Sequence, residues 1–111
     1  MTRLDALRAL EQKVAAGELP MWTEITGAIG LNPDNRHISF YAAYHGSLDA
    51  AKALRKAVLP GSWVIISADA KGCTVIIGVD AVKELARADD RDEARAELLS
   101  IIRALIAEAE A

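Results

Sequence analysis

The amino-acid sequence predicts a small α+β domain in which three or four helices pack on a short antiparallel sheet built around a β-hairpin. Two apolar runs near the middle of the chain flank a polar turn, which is the pattern of a hairpin. Apolar side chains recur three and four residues apart on both sides of that hairpin, as they do in amphipathic helices. The chain has 111 residues, enough for one hydrophobic core, so we expect a single domain over residues 1–111.

Composition and charge restrict the partners that the chain can bind. Apolar residues make up 52% of the sequence and charged residues 26%, which favours a packed globule over a disordered chain. The net charge is −3, a poor match for a phosphate backbone, so we expect no DNA partner. Residues 1–58 contain seven basic and six acidic side chains, whereas residues 81–111 contain five and eight. Any anion site is therefore expected in the N-terminal half.

The sequence predicts a cytoplasmic location. Its single cysteine, Cys73, cannot form an intrachain disulfide, and residues 1–5 lack the apolar core of a signal peptide. No apolar run reaches the roughly 18 residues of a membrane span. We therefore expect no membrane contact.

Capping and turn signals predict two helices in the first 30 residues. Thr2 and Asp5 have the spacing of a capping box, and a helix is expected to follow them. Apolar spacing after Pro20 predicts a short second helix over Trp22–Ile29. A turn is predicted over residues 32–35, because Asn, Pro and Asp favour turns.

The next two elements are predicted from alternation and from a cap. Ile38 and Phe40 alternate with polar neighbours, so residues 36–45 are predicted to form a short strand, with a loop as the alternative. Ser47 is a favoured N-cap residue, and a helix is expected from there to the Pro60-Gly61 dipeptide.

The central hairpin leads to an expectation about assembly. Residues 63–66 and 74–77 are predicted to be its strands, with residues 69–72 at the tip. Neither run alternates apolar with polar side chains, so both faces need cover, and a two-stranded ribbon alone is marginal in water. The predicted helices can cover one face. We therefore expect a homo-oligomer, a dimer or larger, in which a second copy or a partner protein covers the other face.

Two helical segments are predicted after the hairpin. Residues 80–88 are expected to form a short helical connection that uses Val82 and Leu85. Asp90 is predicted to cap the last helix, with Glu93 at the third position. The apolar stripe of this helix is formed by Leu98, Ile101, Ile102, Leu105 and Ile106.

Residues 36–47 contain the best candidates for a ligand site, because both histidines, both tyrosines and the only phenylalanine lie there. Aromatic rings can stack on a base, arginine can bind phosphate, and a helix N-terminus offers backbone N–H groups to an anion. Asp49, in the first turn of the same helix, would repel an anion, and the alternative interpretation is that the segment is mostly core and helix cap. The predicted ligand-binding residues are Arg36, Tyr41, Tyr44, His45, Ser47 and Lys52.

The sequence predicts no enzyme chemistry, no metal site and no cofactor. His45, Ser47 and Asp49 alternate at a helix start and point in different directions, so a catalytic triad is not expected. His37 and His45 lack the further ligands that a zinc site needs. The sequence also contains no glycine-rich phosphate loop and no nucleophile elbow.

Four segments carry a resemblance to known proteins: the closing helix from Ala94 to Ile106, Glu24-Ile25-Thr26-Gly27-Ala28-Ile29, Tyr44-His45-Gly46-Ser47-Leu48-Asp49-Ala50-Ala51-Lys52-Ala53-Leu54 and Leu59-Pro60-Gly61-Ser62-Trp63. Together they resemble small uncharacterised phage and prophage proteins. The closing helix from Ala94 to Ile106 is similar to their final helix. In those proteins Pro, Gly and Trp usually follow one another directly, whereas here Ser62 separates Pro60-Gly61 from Trp63. The resemblance implies a phage accessory role in the host cytoplasm, acting on host molecules such as the nucleotide signals of antiviral defence.

The sequence leaves two functions open. The first is a non-catalytic protein that binds a small anionic, nucleotide-like ligand and so sequesters a host antiviral signal. The second is a protein-interaction module that inhibits a host protein through an apolar hairpin face or through the acidic last helix. The aromatic and polar cluster motivates the first hypothesis, and the doubly apolar hairpin motivates the second.

Overall fold

A computed structural model describes residues 2–30, 36–80 and 83–110 of the chain. The predicted α+β class is confirmed, and the described part contains five helices and three strands, where three or four helices were expected. The predicted turn at residues 32–35 and the contribution of Val82 lie outside the described residues. The elements in chain order are α1 (Arg3–Ala15), α2 (Trp22–Ile29), α3 (Arg36–Tyr44), α4 (Leu48–Val58), β1 (Trp63–Asp69), β2 (Gly72–Asp80), β3 (Lys83–Asp90) and α5 (Glu93–Glu110).

Local capping signals give the right starts for α1 and α4. The Thr2 hydroxyl accepts a hydrogen bond from the Asp5 backbone N–H, and the Asp5 carboxylate accepts one from the Thr2 N–H, both at 3.2 Å. The Ser47 hydroxyl accepts from the Ala50 N–H at 3.2 Å. Both predicted caps are confirmed, since each satisfies a backbone donor that the helix itself leaves unpaired.

Residues 36–44 form helix α3, so the predicted strand is wrong. The alternation of Ile38 and Phe40 is real, but Ile38 is 57% exposed and contributes little to the core. Phe40, Ala43 and Tyr44 are three and four residues apart and are all buried. The helical spacing therefore determines the conformation, because it buries the larger apolar surface.

Residues 83–90 form strand β3, so the helical connection predicted over residues 80–88 is also wrong. β3 pairs antiparallel with β2, and its side chains alternate, with Ala88 buried between exposed Arg87 and Asp89. The free edge of β2 supplies hydrogen-bond partners for this segment. Tertiary pairing thus overrides the helix propensity of its Glu, Leu and Ala residues.

The cap of α5 also differs from the prediction. The carboxylate of Asp92 accepts from the Arg95 N–H at 2.9 Å, which is the N-cap contact. Asp90, the predicted cap, is the last residue of β3, and its carboxylate accepts from the Asp92 N–H at 2.9 Å. Asp90 therefore supports the turn that leads into the helix.

The sheet is an antiparallel meander in the order β1-β2-β3, and it confirms the predicted hairpin. Helix α5 packs against β2 and β3, and α1, α3 and α4 pack against α5. Val75 and Ile77 of β2 point toward this helical layer and have 0% exposure. We call this side of the sheet the inner face and the opposite side the outer face.

Candidate functional site

The two tyrosines of the predicted ligand site make internal contacts. Tyr44 is only 6% exposed, and the guanidinium of Arg95 lies over its ring, 4.6 Å from the ring centroid. Arg95 also donates to the backbone carbonyl of Tyr44 at 3.4 Å. The hydroxyl of half-buried Tyr41 donates to the Pro20 carbonyl at 3.0 Å. Both rings therefore help to fix α3 against its neighbours.

The other predicted ligand residues lie at the junction of α3 and α4. The exposed ring of His45 meets the Tyr44 ring edge to face at 5.5 Å. The Ser47 hydroxyl caps α4, and Lys52 is exposed on that helix. The Arg36 side chain lies outside the described residues. The structure thus brings Tyr44, His45 and Ser47 together at one junction.

Carboxylates surround this junction. A Cβ atom at Gly46 would lie 3.4 Å from the Asp92 carboxylate, so the N-termini of α4 and α5 are close together. Asp49 lies in the first turn of α4, and Glu93 lies in the first turn of α5. These carboxylates already complement the helix dipoles and would repel a second anion. The nucleotide-type ligand site stays a prediction.

A buried ion pair joins α4 to α5. Arg55 Nε lies 3.2 Å from Glu97 Oε1, and Glu97 is fully buried. Arg55 Nη1 also donates to the backbone carbonyl and the hydroxyl of Ser62, at 3.0 and 3.1 Å. Glu97 Oε2 and Ser100 Oγ have no hydrogen-bond partner within the described part of the chain. Burial raises the pKa of Glu97, although the bond from Arg55 acts in the opposite direction.

An open cleft of about 330 Å³ lies beside the hairpin tip. Its lining carries both signs of charge, from acidic Asp69, Asp89 and Asp90 and from basic Lys71 and Arg91. Burial, and then the neighbouring carboxylates, raise the pKa of the Cys73 thiol in this cleft. A raised pKa keeps the thiol protonated and makes it a poor nucleophile.

The outer face of the sheet carries an apolar strip that is open to solvent. The strip consists of Trp63, Ile65 and Ile76, and we call it the outer strip. Ile65 pairs directly with Ile76, which pairs with Arg87 on the far strand, so these side chains share one face. Ile65 is 52% exposed, and the other two strip residues are partly exposed. The sequence prediction that both hairpin faces are apolar is confirmed, and the chain's own helices bury only the inner one.

The two edges of the sheet differ sharply. At the β3 edge, Arg103 Nη1 donates to the backbone carbonyl of Arg87 at 3.1 Å, and Arg103 Nε donates to Glu11 at 2.9 Å. Arg87 itself pairs with Glu84 at 2.6 Å. At the β1 edge, residues 63–68 contain no charged side chain and no proline. No side chain in the described part of the chain donates to the backbone of residues 64–68.

A second exposed apolar surface lies at the corner between α1 and α2. Leu19, Met21 and Trp22 are 51%, 63% and 53% exposed there. We call these three residues the α1–α2 corner. They belong to a connection and to the first turn of a short helix, whereas the outer strip lies on paired strands.

Comparisons add no established function to this geometry. Within residues 2–30, 36–80 and 83–110, no three His, Cys, Asp or Glu side chains form a group that could hold a metal ion. None of the helices described is both long enough and apolar enough to cross a bilayer. No protein-family profile, curated protein or solved structure matches the chain.

Proposed function

We propose that the chain is a non-catalytic protein-interaction module whose contact surface is the outer face of the sheet. The observation that carries the proposal is the outer strip, where 52% exposed Ile65 lies beside Ile76 on paired strands. Exposed apolar patches with an aromatic member are typical of surfaces that bind proteins. The partner is a protein that covers this strip with apolar side chains of its own.

The scaffold under the strip supports this role. On the inner face of the same strands, Val75 and Ile77 are fully buried against the helical layer. Packing on one side holds the strands in place, so the outer strip is presented in a fixed geometry. A preorganised surface loses less conformational entropy when it binds.

The charges beside the strip have the arrangement of an interface rim. Glu84 and Arg87 form an exposed ion pair on β3, and Thr74 donates to Asp89 on the same side. Binding surfaces commonly consist of an apolar centre and a polar, solvent-accessible rim. Trp63 at the other end of the strip supplies the side-chain type that most often anchors such contacts.

The titratable groups support a non-catalytic role. His45 is exposed at the α3–α4 junction, whereas Cys73, with its raised pKa, lies in the cleft beside the hairpin tip. An active site usually needs a nucleophile and a base within hydrogen-bond distance of each other. The buried Arg55 and Glu97 form an ion pair with each other.

Two lysine substitutions test the proposal against the competing surface. Ile76→Lys places a charge in the outer strip, and Met21→Lys is the matched control in the α1–α2 corner. Wild-type protein is used to capture a partner from host cells. The purified partner is then titrated against wild type, Ile76→Lys and Met21→Lys. We expect the dissociation constant to rise by about tenfold or more for Ile76→Lys and to stay unchanged for Met21→Lys.

Ile65→Lys repeats the test at the most exposed position of the strip, in case Ile76→Lys lowers the fraction folded in circular dichroism. A partner that loses affinity for Met21→Lys alone would overturn the proposal. Titration calorimetry of wild-type protein with cyclic and linear nucleotides measures nucleotide binding and so tests the competing ligand hypothesis. Nucleotide binding that is lost in Lys52→Ala and retained in Ile76→Lys would also count against our proposal.

A further inference from the structure

We propose that the β1 edge of one copy pairs antiparallel with the β1 edge of a second copy, and that the two three-stranded sheets form one continuous six-stranded sheet. The inference rests on the proposed function, because pairing would join two outer strips into one larger contact surface. It adds a specific partner and a specific site of self-association.

β1 is an unprotected edge strand. The strand order β1-β2-β3 leaves one side of β1 without a neighbouring strand in the described part of the chain. Natural sheets protect such edges with charged side chains, proline, bulges or a covering element. Residues 63–68 carry no charge and no proline, and their pairing with β2 is regular. An edge of this kind is a template for another strand.

The other edge of the sheet, formed by β3, is protected. β3 carries Glu84, Arg87, Asp89 and Asp90, and its pairing with β2 is irregular near Gly78. Arg103 reaches the edge from α5 and binds the Arg87 carbonyl at 3.1 Å. A strand arriving at this edge would have to displace that guanidinium from both Arg87 and Glu11.

Because the two edges differ, we expect β1 to pair with β1 of a second copy and not with its β3. Pairing of β1 with β3 of the next copy would be head to tail and would generate open arrays. The charges and Arg103 at the β3 edge oppose that arrangement. Pairing of β1 with β1 is isologous and closes after two copies.

Charge placement favours an antiparallel pair of identical strands. The only charged residue of β1 is Asp69, at its C-terminal end. In an antiparallel pair, Asp69 of one copy lies toward the Trp63 end of the other, so the two carboxylates are far apart. The strand between them is neutral, and no like charges face each other across the pair.

Sedimentation velocity of three proteins tests the inference. Ser67 on β1 and Thr74 on β2 are direct cross-strand partners on the outer face. Ser67→Lys puts a charge on the edge strand, whereas Thr74→Lys is the matched control on the central strand of the same row. We expect wild type and Thr74→Lys to sediment at twice the 11.9 kDa mass of one chain. We expect Ser67→Lys to raise the dimer dissociation constant by about tenfold or more.

The outcomes separate this inference from the proposed function. Ser67→Lys leaves the outer strip intact, so a monomeric variant that still binds the captured partner supports both statements. Wild type that stays monomeric at millimolar concentration while it binds the partner overturns the dimer alone. A dimer that Ser67→Lys leaves intact also overturns β1 pairing. Loss of partner binding in Ile76→Lys, measured on the same samples, reports on the outer face independently of the dimer.

Discussion

The two faces of the β1–β2 hairpin are built from the same two strands but have different surroundings. Ile77 and Val75 on the inner face are fully buried, whereas Ile65 on the outer face is 52% exposed and Ile76 is partly exposed. All four residues are β-branched and apolar, so residue type alone does not distinguish the faces. The comparison shows that an apolar hairpin face need not be covered within one chain.

The two edges of the sheet also differ, in how well their backbone groups are protected. The β3 edge is charged and bound by Arg103, whereas the β1 edge is neutral over residues 63–68. The open face and the open edge meet at β1. Of the two edge strands described, β1 is the less protected, and we expect substitutions on its outer face to change association more than stability.

The largest loss of stability is expected at the buried ion pair between α4 and α5. Arg55→Ala leaves the carboxylate of Glu97 buried without its partner, and the expected loss is about 3–5 kcal/mol of unfolding free energy. Arg8→Ala is the control, because Arg8 pairs with Glu110 on the surface and is expected to cost about 1 kcal/mol or less. Urea denaturation of both variants measures the difference. Equal losses would contradict the importance of the buried pair.

The next largest effect compares the two faces directly. Ile77→Ala on the inner face is expected to lose about 2–5 kcal/mol, because it creates a cavity under α5. Ile76→Ala on the outer face of the same strand removes the same atoms from a half-exposed site and should cost less than half as much. Thermal and urea unfolding at low protein concentration, where association is negligible, give both values. Equal costs would mean that the outer face is covered.

The pH dependence of stability tests the environment of Glu97. Burial raises the pKa of Glu97 above its ordinary value of 4.5, so the folded state binds this proton more tightly than the unfolded state. Its contribution to stability is full below 4.5 and is lost as pH rises through the folded-state pKa. Wild type should therefore lose stability relative to Glu97→Gln as pH rises.

The contributions of the surface carboxylates to stability have the opposite pH dependence, in wild type and in Glu97→Gln alike. Hydrogen bonds lower the pKa values of Asp5, Glu24 and Glu84, so their contributions are lost as pH falls. These contributions cancel when wild type and Glu97→Gln are compared at each pH. Parallel stability profiles for the two proteins, measured by urea unfolding, would show that the pKa of Glu97 is not raised.

The smallest expected effect on stability, and a sharp one on assembly, comes from removing the protection of β3. Arg103→Ala combined with Arg87→Ile frees the backbone carbonyl at position 87 and removes both guanidinium groups from the edge. The Arg87–Glu84 and Arg103–Glu11 ion pairs are exposed or partly exposed, so their loss should change the free energy of unfolding little. We expect this variant to form species larger than a dimer in sedimentation, because β1 can then pair with β3 of the next copy. A variant that assembles like wild type would show that these residues do not protect the edge.

Local signals were enough to predict the elements that start with caps or turns. Thr2, Ser47 and the polar hairpin tip each act on residues close in sequence, so their effects can be predicted without the fold. The strand predicted over residues 36–45 and the helix predicted over residues 80–88 are wrong, because the conformations of α3 and β3 depend on distant partners. α3 is selected by burial of Phe40 and Tyr44, and β3 is selected by the free edge of β2.

Only part of the candidate site could be predicted from the sequence. The apolar character of both hairpin faces could be predicted from residues 63–66 and 74–77. The asymmetry of the edges could not, because it depends on Arg103, which is 16 residues from Arg87 in sequence and on another element. The internal contacts of Tyr41 and Tyr44 also depend on partners outside their segment, namely Pro20 and Arg95.

Hydrogen exchange at two protein concentrations tests most directly whether β1 is the contact strand. Backbone amides of β1 and β3 are followed by mass spectrometry or NMR in wild-type protein at micromolar and at near-millimolar concentration. Pairing through β1 predicts that β1 amides become more protected as concentration rises, while β3 amides do not change. Protection that is independent of concentration at β1, or that increases at β3 instead, would contradict it.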